Sequence, residues 1–259
     1  MHYHGLRSIT SLVTVVALTG CGDIGPEGTQ PVTVRFAAVG ALTAAPPMFA
    51  TAASSFANGL VVVRGVDTLT VGEIKMTLED IDLERTGQSV DCSDGGSSDI
   101  IDCSDYLSGP LLTQLNLDGS AVSAPITLDA PIGTFGLISF DISVPDGGDP
   151  AQLAYLEANP DMAGVSLRIT GTFNGTPYSF ALDLRGDQEI ALSPPLDVTE
   201  ETPPGGFSIT VEFDIASWFL RADNTLMNPN AICSVADGCA DRTTVEQNIE
   251  RSIQSYSDQ

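Results

Sequence analysis

The sequence predicts an all-β fold, a β-sandwich of mainly antiparallel strands with a short C-terminal amphipathic helix. Three observations carry this. Apolar residues alternate with polar ones in segment after segment, the period of a half-buried strand. An Asn174-Gly175 pair sits between two alternating runs, the strongest short-range hairpin signal. Helical spacing is confined to short stretches, and nothing alternates strand with helix as a parallel α/β fold requires.

The elements follow in order. Val32–Phe36 alternates and opens the first strand, and the Ala/Pro-rich stretch 41–57 reads as irregular. Leu60–Val63 is a short apolar strand. In the run from Thr70 to Leu83, Ile74, Met76 and Leu78 share one parity while Ile81 and Leu83 take the other. A bulge near Glu79-Asp80 brings both sets to one core. Leu111–Leu117 is a strand. Residues 127–145 carry a turn at Pro131-Ile132-Gly133 and a strong strand from Phe135 to Val144, and 152–159 reads as a short helix or a loop insertion. The hairpin spans 165–184. Segment 193–206, with four prolines, reads as a loop without an element. Phe207–Ile215 is a strand with every second residue apolar, and Ala216–Leu220 a tight or helical turn. Val245, Ile249, Ile253 and Tyr256 then repeat at helical spacing across 243–256. Trp218 and Phe219, directly after an apolar strand, are expected as core plugs.

Residues 1–20 combine Arg7 with an apolar run from Ile9 to Leu18, followed by small residues up to a cysteine. This is an export-signal pattern, about half as long as a bilayer-spanning helix. Leu18-Thr19-Gly20-Cys21 resembles the lipobox of bacterial lipoproteins. That resemblance implies cleavage before Cys21, acylation of its thiol and amine, and a membrane anchor through the N-terminal lipid. Gly22 after the cysteine points by the same family's habit to the outer membrane. The expected organisation is therefore a signal peptide at 1–20, a lipidated N-terminus and tether at 21–31, and one β-sandwich domain at 32–259.

Both histidines, His2 and His4, fall in the leader. Without histidine, Ser-His-Asp and Cys-His nucleophiles and histidine-ligated zinc or haem are excluded in their usual forms. No phosphate-binding loop or dinucleotide fingerprint occurs. Lys75 lies on the polar face of a strand and reads as solvated. The net charge of −24 disfavours nucleic acid and anionic lipid as partners.

The cysteines left after export, Cys92, Cys103, Cys233 and Cys239, are even in number, which makes disulfides the expectation. Three pairings exist; the local one, Cys92–Cys103 with Cys233–Cys239, is preferred over the others. Around the first pair, Asp91, Asp94, Asp99, Asp102 and Asp105 with Gly95-Gly96 offer oxygens for calcium, but their spacing matches neither an EF-hand nor a glycine-aspartate repeat. The plainer reading is a solvated acidic loop. The pair Asp237 and Asp241 is a weaker cation candidate. No cofactor is required. Asn174-Gly175-Thr176 is formally a glycosylation sequon but reads as a structural turn.

Four segments together resemble uncharacterised secreted lipoproteins related to the domain of unknown function 4382 family: 71–85, 130–142, 208–219 and 245–253. The family's pattern is matched at Gly72 to Ile74, at Pro131 to Phe135 and at Ser217-Trp218-Phe219, and its acidic tail is missing. The resemblance implies a lipid-anchored β-sandwich with no established activity. The expected function is a non-catalytic lipid-anchored envelope protein with a structural, adhesion or ligand-binding role, its partner an envelope protein or polysaccharide. The alternative is a surface polysaccharide hydrolase using paired carboxylates. A groove lined by two facing acids and at least one exposed aromatic favours the second, and a closed sandwich with Trp218 buried defeats it.

Overall fold

The computed structural model of the chain describes residues 28–40, 59–86, 109–117, 122–232 and 240–258. Eleven strands lie among these residues: β1 (Thr29–Val39), β2 (Leu60–Arg64), β3 (Asp67–Arg85), β4 (Leu111–Asn116), β5 (Ile126–Pro131), β6 (Gly133–Ile142), β7 (Leu167–Phe173), β8 (Thr176–Leu182), β9 (Gly186–Val198), β10 (Phe207–Asp214) and β11 (Ile253–Asp258). Three α-helices accompany them: α1 (Pro150–Ala158), α2 (Ile215–Trp218) and α3 (Ala240–Arg251).

The strands form one curled, mixed sheet, a half-barrel in the order β5-β1-β10-β11-β9-β6-β3-β7-β8, with β2 and β4 also paired to β3. The all-β class and the mainly antiparallel pairing are as expected, but the strands join into one sheet rather than two separate layers. Two pairings are parallel, β1 with β10 and β11 with β9. The remainder are antiparallel.

The 19-residue β3 makes the continuity. Its Thr77 N–H donates to Ser166 O at 2.8 Å, and the Thr77 carbonyl accepts from Ser143 N at 3.2 Å. Both groups of one residue point to one edge of a strand. On that edge β7 therefore pairs with the first part of β3, β6 pairs with the second, and the two diverge at Thr77. Along the opposite edge β2 covers residues 67–71 and β4 covers 73–78. Helix α1 fills the fork, its Tyr155 hydroxyl 2.6 Å from Thr77 Oγ1.

The bulge expected near Glu79-Asp80 is present. The β3–β6 register shifts between Glu79 and Asp82, Asp80 takes φ 48°, and Ile74, Met76, Leu78, Ile81 and Leu83 are all buried. A second shift, between Val71 and Glu73, brings Gly171 of β7 so close that a Cβ there would overlap the Thr70 carbonyl. The β7–β8 turn has φ 49° at Asn174 and 79° at Gly175, the pattern that lets a two-residue turn follow strand twist. The Asn174 amide is used at both ends, donating to Asp67 Oδ1 and accepting from Thr68 N, each at 2.8 Å.

The inner face holds the core. Phe207, Ile209, Val211 and Phe213 of β10 are buried at every second position. Phe36 meets Phe140 edge-on at 5.4 Å and stacks on Phe213 at 6.2 Å, and Phe213 meets Trp218 edge-on at 6.1 Å. Trp218 and Phe219 are core residues, each 0% exposed.

Two sequence readings are corrected. The proline-rich stretch does not end structure at 193: β9 continues through Ser193-Pro194-Pro195 to Val198, because its inward residues Ile190, Leu192, Leu196 and Val198 keep strand parity on the core. The terminal helix stops at Arg251, and 253–258 is strand β11, drawn out by antiparallel pairing with β10. Tertiary pairing overrides a helical spacing that continues to Tyr256.

The disulfide expectation is also corrected. No disulfide occurs among the described residues, whose core closes without one, and Cys92, Cys103, Cys233 and Cys239 lie outside them. Also outside are the leader, Cys21, 41–57, Asp237 and the acidic loop with Asp91, Asp94, Asp99, Asp102 and Asp105.

Candidate functional site

The seam between β9 and β11 has the shortest ladder in the sheet. The two parallel strands meet in register only at Ser255 and Leu192. Proline explains part of this, since Pro194 and Pro195 have no N–H to offer a neighbouring strand. Side chains take over. Ser255 Oγ donates to Ala191 O at 3.0 Å, and Ser257 Oγ to Pro194 O at 2.7 Å.

Beside this seam, where α3 ends and β11 begins, an open groove of about 410 Å³ is lined by Gln188, Glu189, Ile190, Ala191, Ser193, Glu250, Ile253, Gln254 and Ser255. Its wall is fixed from below. Val245 and Ile249 of α3 are fully buried, which turns Glu250 outward. After Arg251, Ser252 receives the Trp218 indole N–H at 2.7 Å and donates to Ile249 O at 2.7 Å, closing the helix. Asn248 Nδ2 lies within 3.2 Å of the Ser217, Trp218 and Leu220 carbonyls and ties α3 to α2. The groove thus presents two carboxylates, two amides and serine hydroxyls over an isoleucine floor. The last turn of α3 carries Arg251, a cation that offsets the negative end of the helix dipole.

A second acidic feature crosses the outer face of the sheet nearby. Glu79 of β3 pairs with Asp141 of β6, which pairs with Asp187 of β9. Burial is the main cause lifting the Asp141 carboxyl to about 6; its hydrogen bond with Asp187 and the charges of Asp187, Asp80 and Glu79 add to it.

Lys75 is not simply solvated. It pairs with Asp161 at 2.9 Å, and that hydrogen bond, with the lysine charge, holds the aspartate below its ordinary range. Asp241 pairs with Arg221 at 2.7 Å, and Asp237, its companion in the weaker cation candidate, lies outside the described residues. Among the described residues no group of three or more His, Cys, Asp or Glu side chains is placed to hold a metal ion. As regards the hydrolase alternative, the groove holds two acids, Glu189 and Glu250, while none of its lining residues is aromatic and Trp218 is buried in the core. Glu189 and Glu250 escape sequence reasoning because they come from distant segments; the outward parity of Asp187 and Glu189 is the available signal.

No family model matches the chain, and no curated protein matches it. Among solved structures the chain is similar to MbnP from Methylosinus trichosporium, at 11% identity over 84% of this chain and 87% of that one, with a TM-score of 0.37. A likeness at that level carries no argument about fold or activity. Among the described residues no helix is long and apolar enough to cross a membrane.

Proposed function

We propose that this chain is a non-catalytic envelope protein, anchored by lipid at Cys21, that holds a small cationic ligand in the groove between β9 and β11. The observation that carries the reading is the single register pair Ser255–Leu192, which leaves the sheet open beside Glu189 and Glu250. The other pairings between named strands are longer ladders over a continuous core. Anchoring rests on the lipobox-like text before Cys21, and the net charge of −24 makes approach of a cation favourable over long range. The likeness of four segments to the domain of unknown function 4382 lipoproteins supports the same address.

Calorimetric titration of the protein with putrescine, and with the neutral butanediol of matched length, tests the ligand class. Binding of the diamine alone, weakened at least tenfold in Glu189→Gln/Glu250→Gln, is expected. Equal heats for diamine and diol, or an unchanged affinity in the double variant, overturns the reading. Palmitate incorporation tests the anchor: label is expected in the wild type and absent from Cys21→Ser.

A further inference from the structure

Strand β9 has one edge that the sheet uses only in part. Ser143 N donates to the Thr77 carbonyl, so on β6 the main-chain groups of Ser139, Asp141 and Ser143 face β3. Those of Ile138, Phe140 and Ile142 then face β9. Their partners Ile190, Gln188 and Gly186 turn their own groups to β6, which leaves Asp187, Glu189 and Ala191 facing the opposite edge. The Ala191 carbonyl agrees with this parity, since it accepts from Ser255 Oγ of β11. β11 reaches no further. Its first residue, Ile253, falls opposite Ile190 when the Ser255–Leu192 register is continued. The N–H and C=O of Asp187 and Glu189 thus open beside the groove, where neither β11 nor a backbone group of any described loop bonds them.

The strands that end the sheet order are guarded, and this edge is not. β8 carries Asn230 Nδ2 on its Pro177 carbonyl at 3.3 Å and Arg242 Nη1 on its Ala181 carbonyl at 3.4 Å. β5 is bracketed by Pro125 and Pro131. Covering groups, lysine and proline are the usual means of blunting an edge. Residues 186–191 of β9 include neither Lys nor Pro.

We propose that the edge at Asp187 and Glu189 pairs with a short extended peptide carrying a lysine or arginine, bound as an added antiparallel strand. This rests on the reading that the groove takes a cation, and it names the molecule that carries the charge. Antiparallel pairing lets one peptide residue exchange both main-chain bonds with Glu189, and residues directly opposite send their side chains to one face. A lysine in that place meets the Glu189 carboxylate, and Glu250 lines the same groove. Main-chain bonds supply the affinity and the side-chain position the selection.

Titration calorimetry with the blocked tripeptide alanyl-lysyl-alanine is the test, beside its norleucine counterpart and two N-methylated forms. The lysyl peptide is expected to bind. A methyl on the lysyl nitrogen is expected to weaken it roughly tenfold, because it removes the N–H that donates to the Glu189 carbonyl. A methyl on the following alanyl nitrogen, which faces away, is expected to leave affinity unchanged. No binding, no loss from the lysyl methyl, or equal losses from both methyls overturns the added strand. The norleucine peptide separates the two readings. If it binds more weakly than the lysyl peptide and methylation has no effect, the cation groove stands and the strand falls. If it binds equally and the lysyl methyl still weakens binding, the strand stands and the cation falls. Hydrogen exchange on the wild type gives a second readout. Corrected for intrinsic rates, the Asp187 and Glu189 amides are expected to exchange faster than those of Gln188 and Ile190, and the Glu189 amide to slow when peptide is added. A Glu189 amide unchanged at saturating peptide overturns the proposal.

Discussion

Thr77 does three things at once. Its N–H and carbonyl hold β7 and β6 to the same edge of β3, and its hydroxyl meets Tyr155 at 2.6 Å in a buried position. Removing one hydroxyl leaves the other without its partner in a desolvated site, which costs more than the net value of the bond. Thr77→Val is therefore expected to destabilise the protein by about 1–3 kcal/mol in urea unfolding. Thr77→Val/Tyr155→Phe should lose less than the sum of the two single changes, because it removes both polar groups together. Additive losses would show that the two hydroxyls do not interact. Nothing in the sequence distinguishes Thr77 from its neighbours. It reads as one residue of a 19-residue strand, and its importance arises from where two other strands part. Trp218 is the opposite case. An aromatic directly after an alternating strand is legible as a core plug, and it is one.

At the scale of elements, α3 shows how little apolar surface can hold a helix when polar contacts help. Val245 and Ile249 are its buried apolar residues, while Arg242 sits 6% exposed among acceptors from the end of β8 and its own helix. The guanidinium reaches the Asp183 carboxylate, Glu246 at 3.1 Å and the Ala181 carbonyl at 3.4 Å. Asp183 is 36% exposed, so it can rehydrate when its partner is lost, and the full penalty of a stranded buried charge does not apply. Arg242→Leu is accordingly expected to cost about 2 kcal/mol, with faster amide exchange across α3 as the direct readout. Unchanged protection would mean that the two apolar residues suffice. The elements themselves are mostly legible: the hairpin at Asn174-Gly175, the bulge after Glu79 and the one-sided β10 follow from periodicity and turn chemistry. The exceptions have physical reasons. Proline is a breaker in sequence, yet β9 carries two because its neighbour β11 supplies serine hydroxyls in place of ladder bonds. Helical spacing running through Ile253 to Tyr256 is only a local preference, and β10 recruits 253–258 into the sheet from a distance.

For the whole molecule, charge is the dominant long-range quantity. A net charge of −24 on 259 residues repels itself, and the ion pairs described above lie around Asp161 or at α3 rather than across the acidic outer face. Screening reaches about 10 Å at 0.1 M salt and shortens as salt rises. Melting temperature is expected to climb on raising sodium chloride from low ionic strength to about 0.5 M, whereas a protein held mainly by ion pairs would fall. A fall would place those pairs above the self-repulsion. The all-β class is legible in the sequence; the single curled sheet is not, because alternation reports which face a residue takes and is silent on which strand lies beside it. The candidate groove is illegible for the same reason, since Glu189 and Glu250 become neighbours only through the β9–β11 pairing. The parallel pairing of β1 with β10 has one further consequence. Val32 is set opposite Phe207, most of the chain's length away. During synthesis β1 is made early, yet its place between β5 and β10 is completed only when the last quarter of the chain arrives. Loop-closure entropy makes such a contact slow to form. The strand nearest the proposed anchor is thus a late-closing seam, and in refolding experiments protection of β1 is expected to appear together with β10 and after the β7–β8 hairpin.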